Sequence, residues 1–157
     1  MMMNSDLSAR QDTIIALINA NYQLPITQLL DRVTAALHEN FPHYTGVYIY
    51  LLEDDLLVLN CFRGRPTEHT RIPIGAGICG RAARIKQTVT VDDVTRDAEY
   101  IACSLETRSE IVVPIMRGER VFGEIDIDSD VPAAFNADDQ KFLEQVADAL
   151  AHQFARN

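Results

Sequence analysis

YIACSLETRSEIVVPIMRGERVFGEIDIDS, residues 100–129, is the stretch from which the fold is read. Two apolar runs, residues 111–116 and 121–127, flank Arg117-Gly118-Glu119-Arg120. That pattern predicts a β-hairpin with Gly118 in the turn. Glu110 opens the first run, and Asp126 and Asp128 close the second, where a strand buried in a core needs no carboxylate. Asp126 and Asp128 are two residues apart and so share one face of the strand. Cys103 precedes the hairpin in a segment without helical period. A thiol set against several carboxylates at one end of a sheet has the character of a site rather than of a surface.

Outward from the hairpin, the N-terminal part reads as helical. Residues 12–21 carry a short apolar stripe, Ile14, Ile15, Leu17 and Ile18. Pro25 starts a second helix, with Ile26, Leu29, Leu30, Val33, Leu37 and Phe41 at helical spacing and Asn40 and Pro42 at its end. Residues 45–52 and 56–62 are strand-like and are joined by the polar turn Glu53-Asp54-Asp55, which gives a first hairpin. Residues 70–74 read as a short strand. Gly75, Gly77 and Gly80 then frame Ala76, Ile78 and Cys79, ahead of a short helix over 81–87 and a strand over 88–91. A glycine-rich turn feeding a helix presents backbone N–H groups suited to a carboxylate. Its spacing is neither a dinucleotide fingerprint nor a P-loop. Residues 92–105 form a long loop carrying Cys103, and a last helix begins at Ala137, capped by Asn136, with Phe142, Leu143, Val146, Ala149, Leu150 and Phe154 on one face. The expected class is α+β: an antiparallel sheet with N- and C-terminal helices on one face and loops plus a short helix on the other. Residues 1–157 are read as one domain, with 1–23 as an N-terminal helical extension.

The bulk composition excludes several functions. The net charge of −9 argues against binding a phosphate backbone or an anionic membrane surface. No apolar run approaches the length of a membrane span, and the first residues lack a secretory signal, so a cytoplasmic location is expected. The 3 cysteines do not make a disulfide scaffold. The 4 histidines, His38, His43, His69 and His152, lack ligand spacing, so no metal is expected.

Three motifs resemble the GAF domain, and within it the free methionine-(R)-sulfoxide reductases: Arg71-Ile72-Pro73-Ile74-Gly75-Ala76-Gly77-Ile78-Cys79-Gly80, Tyr100-Ile101-Ala102-Cys103 followed by Ser109-Glu110, and Asp126-Ile127-Asp128-Ser129. The resemblance runs from about Leu24 to the last helix and implies a GAF-like fold. It implies Cys103 as the catalytic thiol, with Glu110, Asp126 and Asp128 lining the substrate pocket and Cys79 as a second redox cysteine. It also implies thiol-dependent reduction of free L-methionine-(R)-S-oxide with no bound cofactor, recycling by a thioredoxin-type reductant, and a homodimer. Departures are present. His69 stands where the family has a third cysteine, often the recycling partner, and Tyr44 stands where it has a tryptophan, whereas Tyr48 matches a family tyrosine. Cys61 is an added cysteine, either a replacement partner or part of the core.

The residues suit this chemistry. A thiolate attacks sulfur while an acid protonates the oxygen, and a carboxyl crowded by others keeps its proton. The N–H groups around Ile78 to Gly80 offer a seat for the substrate carboxylate, and Tyr44 and Tyr48 an apolar wall for its methyl group. The alternative from another class is a non-catalytic, stand-alone GAF domain that binds a small ligand as a sensor. In that reading Glu110 only pairs with Arg108 or Arg120, and Cys103 is an inert loop thiol.

Overall fold

The hairpin forms as its pattern predicts. In the computed structural model, which describes residues 2–102 and 104–156, Ser109–Arg117 (β5) and Arg120–Ser129 (β6) pair antiparallel, closing at Arg117↔Arg120 around Gly118. Gly118 has φ +55, a backbone conformation open to glycine and costly for residues with a Cβ. A bulge at Phe122 lets Ile115 face Gly123 and Met116 face Val121.

The first hairpin joins Gly46–Glu53 (β1) to Leu56–Gly64 (β2), turning at Asp54 with φ +54. Arg71–Pro73 (β3) and Val89–Val91 (β4) are short outer strands. Among the described residues these make a 6-stranded antiparallel sheet in the order β3-β2-β1-β6-β5-β4. Residues two apart on a strand share a face, so the sheet sorts its side chains into two layers.

One layer is a large apolar core. Val47 and Ile49 of β1, Ile111, Val113 and Ile115 of β5, and Ile125 and Ile127 of β6 meet the helices. These helices are α1 (Met2–Ala20), α2 (Ile26–Asn40) and α4 (Ala137–Arg156). Helix α2 buries Leu29, Leu30, Val33 and Leu37 on the face predicted by their spacing. Helix α4 starts where its cap residue predicts: Asn136 Oδ1 accepts from the N–H groups of Asp138 (2.9 Å) and Asp139 (3.0 Å), and Asp139 Oδ2 accepts from Asn136 N–H (3.0 Å). This is a reciprocal capping box. Tyr44 also donates to Asp139 at 3.0 Å.

Helix α1 extends well beyond the stripe read at residues 12–21. Arg10 pairs with Asp6 at 2.7 Å and reaches the last carbonyl of α2, Asn40 O, at 3.0 Å. Ile14 and Ile18 are fully buried within the chain itself. Ile15 and Leu17 of the stripe are partly buried against the same core.

The other layer holds Gly77–Ile85 (α3), which starts four residues earlier than the sequence pattern suggests. It packs over Tyr48, Tyr50, Leu57, Ile72 and Val112. Gly80 is pressed against β3: a Cβ there would lie 2.7 Å from Pro73 O. Among the described residues no helix is long and apolar enough to cross a membrane.

Candidate functional site

Between α3 and the sheet the chain buries a group of acids. Glu124, Asp126 and Asp128 stand on alternate positions of β6, and Glu110 pairs across to Asp128 from β5. All are buried, Glu124 to 0% exposure and the others to no more than 5%. Glu110 is therefore not a surface residue paired with Arg108 or Arg120. From above, α3 lowers the thiol of Cys79 onto them: its Sγ lies 3.3 Å from Asp126 Oδ2 and 4.0 Å from Glu110 Oε1.

Electrostatics follow from this crowding. Burial pushes the Cys79 thiol well above the usual thiol range, and the charges of Asp126, Glu124 and Glu110 push it further. Burial also raises the Asp126 carboxyl, while hydrogen bonds from Glu110 and Cys79 draw it back. Asp128 is raised well above the carboxylate range, by burial first and by Asp126 next, with Arg65 opposing. Glu124 is raised well above it by burial and by Asp126, with the neighbouring Cys79 thiol opposing. The cluster therefore holds its protons to higher pH than solvent-exposed carboxylic acids do.

A cavity of about 20 Å³ opens beside Cys79, Glu110 and Asp126. Tyr50, His69, Ile78 and Ile101 also line it. Ile101 approaches Gly77 so nearly that a Cβ at Gly77 would lie 3.0 Å from its Cδ1. His69 Nε2 lies 3.2 Å from Ala102 O, and Tyr50 donates its hydroxyl to His69 O at 2.7 Å. The segment that leads to position 103 therefore crosses the mouth of the cavity. Cys103 itself lies outside the described residues.

The sequence-predicted residues separate clearly on this geometry. Cys79, Glu110, Asp126 and Ile78 come together at the cavity. Asp128 shares their face but not the cavity edge, nearer to Arg65. Tyr48 is on the same side, its ring stacked on Phe62 and its hydroxyl donating to Arg65 O at 2.6 Å. Tyr44 is elsewhere: it is stacked on Phe41 in the helix-side core, so it forms no wall of this site. The Gly80 N–H is also spent, donating to Ala76 O at 2.9 Å, because α3 begins earlier than expected. The first turn of α3 instead offers the N–H groups of Gly77, Ile78 and Cys79. Cys61 lies near Thr34 Oγ1 (3.3 Å) in the helix-side layer, the opposite face of the sheet from Cys79.

Glu124, Tyr50, His69 and Ile101 were not read as site residues. Period 2 from Asp126 and from Tyr48 signals the first two. His69 and Ile101 arrive from loops, and no local pattern marks them.

Comparison with known proteins agrees with this geometry. Residues 23–152 match the GAF domain family. The free methionine-R-sulfoxide reductase of Escherichia coli (strain K12) is 37% identical over 121 residues, covering 77% of this chain and 73% of that protein. GAF domain-containing protein A of Dictyostelium discoideum is 40% identical, covering 77% and 76%. The X-ray structure of free methionine-R-sulfoxide reductase from Neisseria meningitidis in complex with its substrate superposes with a TM-score of 0.85 at 35% identity, covering 92% of this chain and 86% of that one. The chain belongs to the GAF domain family, among members that include the free methionine-R-sulfoxide reductases.

Proposed function

We propose that this protein is an oxidoreductase that reduces free L-methionine-(R)-S-oxide to methionine, with Cys103 as nucleophile. The observation that carries the reading is the buried set of Cys79, Glu110 and Asp126 beside a small cavity, in a chain 37% identical to a protein named for this reaction. The Cys103 thiolate attacks the sulfoxide sulfur as the Glu110–Asp126 pair gives a proton to the oxygen. The hydroxyl passes from the substrate sulfur to the Cys103 sulfur as the S–O bond and the transient S–S bond break, methionine leaves, and Cys103 is left as a sulfenic acid. The Cys79 thiol then attacks that sulfur, a disulfide forms and water leaves. A thioredoxin-type dithiol takes up the oxidation and restores both thiols. Asp128 and the first-turn N–H groups of Gly77 and Ile78 orient the ammonium and carboxylate of the substrate.

The cavity of about 20 Å³ is far smaller than a ligand pocket of ~300 Å³ or more. Substrate entry therefore requires Ile101 to leave Gly77, breaking the contact between His69 and Ala102 O. With His69 at the position of the family's third cysteine and Cys61 across the sheet, Cys79 is the resolving thiol in this reading. We also read residues 1–157 as one GAF-like domain into whose core α1 is built, acting in the cytoplasm without a bound cofactor. A homodimer remains part of the proposal on family resemblance alone.

The test is methionine formation from free methionine-(R)-sulfoxide with dithiothreitol. Cys103→Ser is expected to abolish it. Cys79→Ser is expected to keep turnover with dithiothreitol and lose it with thioredoxin. Wild-type turnover no higher than that of Cys103→Ser would overturn the reductase and leave a ligand-binding GAF module.

A further inference from the structure

The proposed reaction leaves one buried group unused. Glu124 is 0% exposed, and its carboxyl faces the Cys79 thiol closely enough to interact with it. Yet neither of its oxygens completes a hydrogen bond among the described residues, and Asp126 Oδ1 is in the same condition. A buried acceptor without a donor is costly, and several side by side indicate a missing partner.

The charge around them has the same implication. The charged groups that act on Cys79 are all acidic: Asp126, Glu124 and Glu110. The nearby cations act on the cluster from partly exposed positions, Arg65 on Asp128 and Arg81 on Glu110, and each is bonded to another carboxylate. Arg65 holds Asp130 at 2.8 Å, and Arg81 holds Asp97 at 2.8 Å. His69 borders the cavity with its Nε2 at Ala102 O.

Ligand geometry identifies the partner. One donor atom each from Cys79, Glu110 and Asp126 lies within 4.8 Å of the others. The sulfur-to-oxygen separations are 3.3 and 4.0 Å. A tetrahedral zinc site with ordinary Zn–S and Zn–O bonds has an S···O edge of about 3.6 Å. The separations bracket that value. A thiolate among carboxylates suits a borderline cation and disfavours magnesium or calcium, which take oxygen alone.

We infer that Cys79, Glu110 and Asp126, backed by Glu124, form a binding site for a single thiophilic divalent cation of the zinc class. Binding displaces the Cys79 thiol proton and the carboxyl protons to solvent and leaves the cation's oxidation state unchanged. The cation acts as an inhibitor rather than a cofactor, since it occupies the acid and the resolving thiol of the proposed reaction. That consequence rests on the reductase reading, whereas the binding itself does not.

The experiment uses the full chain, reduced and metal-free, with Cys61 and Cys103 replaced by serine. Titration with Co²⁺ is expected to give a sulfur-to-cobalt charge-transfer band that Zn²⁺ abolishes. Adding Cys79→Ser should remove the band, and Glu124→Gln should weaken affinity by about 10-fold. X-ray absorption of the zinc-loaded Cys61→Ser/Cys103→Ser protein should find one sulfur in the zinc shell, a result that does not depend on the Cys79 variant folding. No band, a band that survives Cys79→Ser, or a sulfur-free shell would overturn the site. None of these readings involves the sulfoxide, so failure of the site and failure of the reductase are told apart.

Discussion

Replacing Glu124 should stabilise the metal-free protein, and by an amount that grows with pH. Its carboxyl is fully buried and has no completed hydrogen bond. An unsatisfied buried polar group costs about 1–3 kcal/mol. Glu124→Met keeps the length of the side chain and removes that cost. A second contribution comes from titration. Burial, then Asp126, raises the Glu124 pKa well above the usual range. A raised folded-state pKa means that the native chain binds the proton more tightly than the unfolded one. The contribution of this proton to stability is fully present below the unfolded value of about 4.3 and is lost as pH rises through the folded value. Across that window the wild type loses stability at about 1.4 kcal/mol per pH unit on account of this group, and Glu124→Met does not. The gain is therefore smallest near pH 4 and larger at pH 7. Glu124→Gln separates the two contributions, because it abolishes the titration and keeps a buried polar group. Urea unfolding of the chelator-treated proteins from pH 4 to 8 measures all of this. A Glu124→Met protein less stable than wild type at pH 7, or a difference flat across the range, would refute the reasoning.

Other outcomes follow from the same geometry. Asp126→Asn should lower kcat/KM for the proposed reduction by about 10²–10⁴-fold, the span of general acid catalysis, with the fold preserved by circular dichroism. Cys61→Ala should leave turnover with thioredoxin unchanged, because the thiol faces Thr34 in the helix-side core; a loss of thioredoxin-supported turnover would give Cys61 the recycling role assigned to Cys79. Asn136→Ala removes the acceptor for the N–H groups of Asp138 and Asp139 and should cost about 1 kcal/mol in urea unfolding.

Much of this fold was legible because its elements are locally consistent. The turn at Gly118, the start of α2 at Pro25 and the cap at Asn136 are each set by residues within a few positions. Period 2 placed Asp126 and Asp128 on one face, the hairpin pattern marked Glu110 beside them, and the family resemblance added Cys79. What stayed hidden depends on tertiary contact. Helix α1 is longer than its stripe because Arg10 anchors it to Asn40 O, a residue 30 positions away. Tyr44 reads as a site aromatic by resemblance, but Phe41 and Asp139 claim it for the helix-side core. The proposed cation site draws its ligands from a helix and two strands and uses no histidine, so histidine spacing has no bearing on it.

The division of the sheet explains how such a site is tolerated. The helix-side face combines α1, α2 and α4 with the inward residues of β1, β5 and β6 into one apolar layer. Buried aliphatic side chains there each contribute about 1.5–3 kcal/mol. The opposite face carries fewer apolar residues and concentrates the acids and Cys79. The strands that carry the acids are fixed from the other side by the apolar layer. The carboxylates are held close together, with Arg65 acting on Asp128 and Arg81 on Glu110 from partly exposed positions. Burial is what raises the Asp126 carboxyl for the proposed reaction, and the close set of carboxylates is what makes the cluster attractive to a cation. On this view Glu124 strengthens cation binding at the cost of stability. Its removal should therefore yield a protein that is more stable, less sensitive to pH and weaker in binding Zn²⁺, a combination that a purely structural role for Glu124 would not produce.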